Sequence, residues 1–261
     1  MSIKFCSLSS GSSGNCHYIE TDRTRILVDA GFSGKKIERL LSLINVDANT
    51  IDYILITHEH IDHVRGAGIL SRRYDIPILA NKSTWLGMEE VIGDVKDKNI
   101  KIIDTNKDLA LNDLGIHPFK IYHDAREPVG YIIYYKNFKI SIATDTGWVD
   151  NNMKDKIKGS NLYLMESNHD VKMLKEGNYP WFLKQRVLSK EGHLSNVAAG
   201  EALSEILLGK GEIVLLGHLS KENNTPNLAY ETVKKTIGEV YENIDLNLSY
   251  RDRPTKVYTL Y

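Results

Sequence analysis

The chain has 261 residues, of which 42% are hydrophobic and 26% charged, enough apolar content to fill the core of one sizeable α/β domain. Its formal net charge is -1, so bulk electrostatics select neither a nucleic-acid nor a membrane surface, and a polyanionic substrate must be met by local cations. Two cysteines, Cys6 and Cys16, flank a Gly/Ser loop without CxxC spacing; they imply no disulfide scaffold and read as small buried thiols in neighbouring strands.

In chain order, short β-like runs come first: Ile3–Leu8, His17–Glu20 and Arg25–Asp29. A helix is predicted over Lys35–Ile44, and Ile51–Thr57 reads as a buried strand, continuous and rich in β-branched residues. A polar, His-rich turn follows, then a predicted helix over Val64–Tyr74, a short strand Pro77–Ala80 and a helix Lys82–Val91. The middle is β-rich, with Leu114–Tyr122, Tyr131–Tyr135 and Lys139–Thr144 separated by turn signals such as Asn112-Asp113 and Lys136-Asn137. Leu162–Met165 and Ile213–Leu216 are further strands. Helices are predicted over Trp181–Leu188, Asn196–Leu208 and Leu228–Val240, and a closing strand over Lys256–Leu260. Strands followed by helices in both halves predict two sheets packed face to face with helices outside. The start of the chain lacks a basic segment followed by an apolar one, and no apolar run approaches the roughly 20 residues that span a bilayer. A cytoplasmic protein without a membrane partner is therefore expected, and nothing in the sequence points to a protein partner.

Thr57-His58-Glu59-His60-Ile61-Asp62-His63 is the most informative segment, because it places four metal-ligand side chains between a buried strand and a helix. Imidazoles suit Zn, Mn and Fe, and a carboxylate adds hard-oxygen character. His58 and His60, two apart on extended chain, project to one side and can share an ion. Asp62 and His63 can turn to a second. Two sites need more ligands, held at strand ends where geometry is rigid. His123 follows Ile116–Tyr122, Asp145 follows Ile140–Thr144, and His218 follows Ile213–Gly217. Each has the same context of apolar strand, ligand and turn. Asp145 is the expected bridge, since a carboxylate has two oxygens. Asp124 can support His123 or serve as an ordinary turn residue. His17 and His117 read as structural.

With these residues in view, the chain resembles the metallo-β-lactamase superfamily. The resemblance runs through Val28-Asp29-Ala30-Gly31, the HxHxDH segment, His123, Asp145 and His218 in that order. Ser7–Asn15, His123-Asp124-Ala125, Glu166–Asp170, Gly192–Asn196 and His218–Pro226 are similar to the YycJ/WalJ branch. The resemblance implies a four-layer αββα sandwich of α/β class, one domain over residues 1–261, and a dinuclear centre at one edge of the sheets. It also implies a 5′-to-3′ DNA exonuclease linked to DNA repair, acting through a hydroxide that bridges two divalent ions, with Asp62 in the reacting centre. Thioester or lactone hydrolysis of the glyoxalase II type, β-lactam hydrolysis, and a non-catalytic regulatory protein with a structural metal site are the alternatives.

A leaving oxygen needs a proton, and His193, just before a predicted helix, is the expected donor, with Glu166 at a strand end to orient and charge it. A similar Glu–His relay occurs in the related tRNA-processing enzymes. Substrate contacts are expected from the loop Ser9–Asn15, through Ser10, Ser12, Ser13 and Asn15, whose backbone N–H groups can converge on a phosphate. The same loop also reads as a plain hairpin turn, and no GK[ST] follows to make it a P-loop. Asn223 and Asn224 offer amide donors beside His218 or cap the next helix. His169 is either a site residue or a structural one. Arg72, Arg73, Lys184, Arg186, Arg251 and Arg253 are candidate phosphate contacts.

Overall fold

The first strand already shows how the chain divides its core. In β1 (Ile3–Ser9), Ile3 and Phe5 face one apolar cluster while Cys6 and Leu8 face another, the alternation that a pleated strand imposes. The computed structural model describes residues 2–261. After β1 come β2 (Cys16–Glu20), β3 (Arg25–Val28), α1 (Gly34–Ser42) and β4 (Tyr53–Leu55). The one-turn α2 (Ile61–Val64), α3 (Ala67–Tyr74), β5 (Ile78–Ala80), α4 (Lys82–Ile92) and β6 (Ile100–Ile102) complete the first half. The second half runs β7 (Leu109–Leu111), β8 (Leu114–Lys120), β9 (Val129–Tyr135), β10 (Phe138–Ala143), α5 (Asn151–Ile157), β11 (Leu162–Glu166), α6 (Val171–Glu176) and α7 (Trp181–Leu188). It ends with α8 (Asn196–Ile206), β12 (Ile213–Gly217), α9 (Pro226–Ile237), β13 (Asp245–Leu248) and β14 (Tyr258–Leu260).

The described residues form two seven-stranded sheets, one ordered β14-β1-β2-β3-β4-β5-β6 and the other β13-β12-β11-β10-β9-β8-β7. A central cluster joins them, with Phe5, Val28 and Leu55 from one sheet against Tyr131, Ile142 and Leu164 from the other. A second cluster packs Ile37, Leu41, Leu70 and Met88 of the flanking helices onto the first sheet. A third packs Met153, Leu203 and Val233 onto the second. These three cores separate four layers, so the fold is the αββα sandwich expected.

Pairing is parallel along β3, β4, β5 and β6 and along β10, β11, β12 and β13. Parallel runs collect the carboxyl ends of their strands at one edge, the position where sites form in α/β sheets. The loops after β3, β4, β8, β10, β11 and β12 all carry residues singled out above.

Local departures from the sequence reading have local causes. The helix expected over Val64–Tyr74 is interrupted at Gly66, whose N–H donates to Ala30 O. The helix expected to reach Val240 stops at Ile237, where Gly238 has φ 62°. Strands β6, β7 and β13 went unread, being short and supplying few buried side chains. Cys6 and Cys16 are free, buried and on neighbouring strands. No helix among the described residues is long and apolar enough to cross a membrane.

Candidate metal centre

Asp29, Asp145 and His218 each follow a strand and sit at positive φ, 63°, 56° and 54°. Left-handed backbone is uncommon outside glycine, and where it persists the surroundings hold it. Here it turns the chain out of each sheet at the edge where the HxHxDH loop lies. Gly31 closes that arrangement, because a Cβ there would lie 1.7 Å from Asp62 O. Asn15 N–H donates to the same Asp62 carbonyl at 2.8 Å, and Ala30 N–H to His63 O at 2.7 Å. Gly147 does the same for the other wall, since a Cβ there would lie 2.4 Å from Ser189 O.

The polypeptide brings all seven expected metal-ligand side chains together. His58 Nε2 lies 3.1 Å from His60 Nδ1, and the ligand atoms of His58, His60 and His123 lie within 4.8 Å of one another. The same holds for Asp62, His63 and His218. Asp145 stands between the two groups. Its Oδ2 is 3.3 Å from His63 Nε2, and its Oδ1 is 3.3 Å from His218 Nε2 and 3.9 Å from His123 Nε2. His58, His63, His123, Asp145 and His218 are buried, while His60 and Asp62 are half-buried.

This donor set fits divalent metal. Asp145 Oδ2 and His218 Nε2 are buried and, beyond the 3.3 Å charge contacts just given, make no well-formed hydrogen bond, which leaves both free to turn to a cation. The imidazoles also present fixed nitrogens. Asp29 lies 2.8 Å from His63 Nδ1, which leaves Nε2 for the centre. Thr57 Oγ1 lies within hydrogen-bond reach of Asp29, His58 Nδ1 and His63 Nδ1. Thr57 was missed in the sequence, where it reads as the last β-former of a strand.

Electrostatics follow from burial and from the two carboxylates. Burial by itself would depress the His218 imidazole, but Asp145 and Glu166 outweigh it and lift it to about 9. His63 is likewise held well above its ordinary value against burial, by Asp29 and Asp145. Burial, reinforced by His63, keeps His58 well below its ordinary value, and burial also lowers His123. Burial would raise Asp145, yet His218 and His63 hold it well below the carboxylate range.

Glu166 is adjacent but differently engaged. Its Oε1 is 2.7 Å from His193 Nδ1 and 3.0 Å from His218 Nδ1, and its Oε2 accepts from Thr146 N–H at 2.7 Å. Both oxygens are thus occupied, which suits orientation of the two rings better than metal ligation. His193 is partly exposed and lines a cavity of about 160 Å³ with Ser12, His123, Asn168, Arg186 and Asn223.

The expected substrate contacts divide by geometry. Ser12 and Asn223 line the cavity, and Asn223 Oδ1 is buried without a partner. Ser13 is exposed to solvent and outside that lining. Ser10 is wholly buried and its Oγ accepts the His218 N–H at 2.9 Å, so it braces the loop. Asn15 holds the Gly11 backbone and lies 3.0 Å from His63 Nε2. The Asn224 amide donates to Ser167 O, Asn168 O and Asn196 Oδ1, so it ties loops together. His169 is buried outside the cavity lining, with neither ring nitrogen partnered. Asp124 meets both His123, at 3.4 Å, and Arg186. Of the surface cations, Arg186 reaches the cavity and Arg251 lies against Gly11 of the Ser/Gly loop. Arg72 is bound to the carbonyls of Ile92 and Asp94, Arg73 to Glu38, and Lys184 to Lys175 O. Arg253 stacks on Tyr250.

Comparison with known proteins gives the family of the chain. Residues 24–219 match the beta-lactamase superfamily domain. The chain is 40% identical to the exodeoxyribonuclease YycJ of Bacillus anthracis, covering 98% of this chain and 99% of that one. It is 42% identical to the exodeoxyribonuclease WalJ of Streptococcus pneumoniae serotype 2 (strain D39), covering 91% and 89%. Among solved structures, the metallo-beta-lactamase fold protein YhfI from Bacillus subtilis superposes with a TM-score of 0.73 over 100% of both chains at 15% identity, a likeness of fold.

Proposed function

The chain belongs to the metallo-β-lactamase superfamily, in its YycJ/WalJ branch, and from that premise we propose that it is a metal-dependent exodeoxyribonuclease. The observation that carries the choice of phosphodiester over other substrates is the Glu166–His193 pair, 2.7 Å apart, at the wall of the cavity beside the His/Asp cluster. Hydrolysis of a phosphodiester needs a proton at the departing oxygen, whereas the thiolate of a thioester leaves without one; a β-lactam nitrogen also needs a proton, and the assay below separates that alternative.

Two divalent ions are the occupancy we infer, Zn, Mn or Fe. His58, His60 and His123 would hold one, Asp62, His63 and His218 the other, and Asp145 would contribute an oxygen to each. Once bound, they supply an activated water and positive charge at the scissile phosphate. Glu166 keeps His193 Nδ1 engaged, so the proton for the departing oxygen travels from the other ring nitrogen. The Glu166 carboxylate, burial notwithstanding, is held below its ordinary value by His193 and His218, and so stays ionised to orient that ring. Help of this kind contributes about 10²–10⁴-fold. Ser12, Asn168, Arg186 and Asn223 line the space a nucleotide would enter. DNA makes the cytoplasm the compartment in which the protein would act.

The test is a three-way assay. Metal-loaded protein is incubated with end-labelled duplex DNA, with S-lactoylglutathione and with a cephalosporin. Shortening of DNA from its 5′ ends is the expected result. Turnover of either small substrate with DNA left intact would overturn the nuclease reading.

A further inference from the structure

Two of the three tryptophans are exposed, one close in sequence to Asp145 and the other at the start of the helix that lines the cavity. Trp85 is 7% exposed, whereas Trp148, three residues after Asp145, is 45% exposed and Trp181 is 66% exposed. Phe182, beside Trp181, is 70% exposed. Both side chains stand in the first turn of α7, the helix that lines the cavity through Leu183, Arg186 and Val187. Phe182 and Arg186 are four apart and so share a helix face, which puts Phe182 one turn from Arg186, just outside the cavity lining. Tyr179, just before the helix, lines the cavity as well.

Large exposed aromatic rings beside a site call for an occupant with flat apolar faces, and the local charge says which. Residues 171–191 carry Lys172, Lys175, Lys184, Arg186 and Lys190 against Glu176 and Glu191, a basic stretch in a chain of net charge -1. Cations interleaved with aromatic rings form the pattern that holds single-stranded nucleic acid, phosphates on the cations and bases on the rings.

We propose that Phe182, on the side of α7 that carries Arg186, and Trp181, one position round the helix from it, form a stacking platform for the bases of a single-stranded stretch of substrate at the outer end of the cavity beside the metal centre. The proposal rests on the nuclease reading and adds a preference to it: a strand must be unpaired over the nucleotides that meet α7. A blunt duplex has to fray there, while a substrate with a single-stranded end binds directly.

The experiment is a titration of the metal-loaded protein with a phosphorothioate oligothymidylate of about ten nucleotides, within the site sizes usual for such grooves. Tryptophan fluorescence should be quenched on binding, and Trp181→Phe should remove most of that quench. The double variant Trp181→Ala/Phe182→Ala should bind the oligonucleotide about tenfold or more weakly, the scale of lost base–aromatic stacking. In turnover of an ordinary single-stranded substrate it should raise KM more than it lowers kcat. An unchanged affinity in the double variant, with a wild-type melting curve, overturns the platform while leaving the nuclease reading intact. A dimer in light scattering that the double variant dissolves, again with unchanged oligonucleotide affinity, overturns it in favour of a second copy of the chain. A wild type that leaves DNA intact removes the nuclease reading itself.

Discussion

The buried carboxylate of Asp29 lies 2.8 Å from Nδ1 of His63, and neither side chain is exposed to solvent. The contact decides which imidazole nitrogen is free, because a proton on Nδ1 leaves the Nε2 lone pair for a cation. Asp29 does not line the cavity, yet it aims a ligand. Asp29→Asn keeps the volume and tolerates the left-handed backbone. It should weaken metal affinity about 10–100-fold, as measured by competition with a chelating dye. Unchanged affinity would mean that the contact is packing alone.

His193 should separate metal binding from turnover. His193→Ala is expected to retain its metal by elemental analysis and to lose at least about 10²-fold in kcat on DNA. Glu166→Gln should also lower turnover, since it withdraws the charge that orients His193 Nδ1, and because it faces His218 as well it should weaken metal affinity at the same time. Retained turnover in both would take the pair out of the reaction.

Metal and protons compete for His63 and His218. With His218 lifted to about 9, its imidazole carries a proton at neutral pH in the metal-free protein and must release it to ligate. Metal affinity should therefore rise with pH up to about 9, with proton release visible as a buffer-dependent heat in calorimetry. The metal-free protein should move the other way. A histidine whose folded value is raised stabilises the fold fully below its unfolded value, about 6.5, and that stability is lost as pH climbs through the folded one. The melting temperature without metal should thus fall between about pH 6.5 and 9. A rise over that range would contradict the paired charges.

Gly31 allows the Asp29 loop and the HxHxDH loop to touch. Gly31→Ala pushes a methyl into the Asp62 carbonyl, with backbone on both sides and nothing flexible to yield. The expected cost is about 3 kcal/mol or more in denaturant unfolding, at the top of the overpacking range. A wild-type unfolding midpoint would show that the two loops are free to part.

Much of this was legible in the residues. The strand-ligand-turn pattern around His123, Asp145 and His218 needs only local apolar runs, and the structure gathers those side chains at one sheet edge. What stayed illegible depends on pairs distant in sequence. Ser10 reads like a phosphate-loop serine until the fold sets its hydroxyl against the His218 N–H. Asn224 reads like a free amide donor until Ser167, Asn168 and Asn196 surround it. Arg186 and Arg72 look alike in sequence, yet one faces the cavity and the other caps carbonyls across a helix pair. Strand β6 was unreadable because its three residues are exposed and carry no buried face.

The most direct measurement sets the metal content of wild type and Asp145→Ala beside their action on 5′-labelled DNA in one preparation. A metal-driven reaction requires bound metal and cleavage to be lost together in the variant, with two ions per wild-type chain and nucleotides released from the 5′ end. An Asp145→Ala protein that cleaves DNA at the wild-type rate while holding no metal would contradict it.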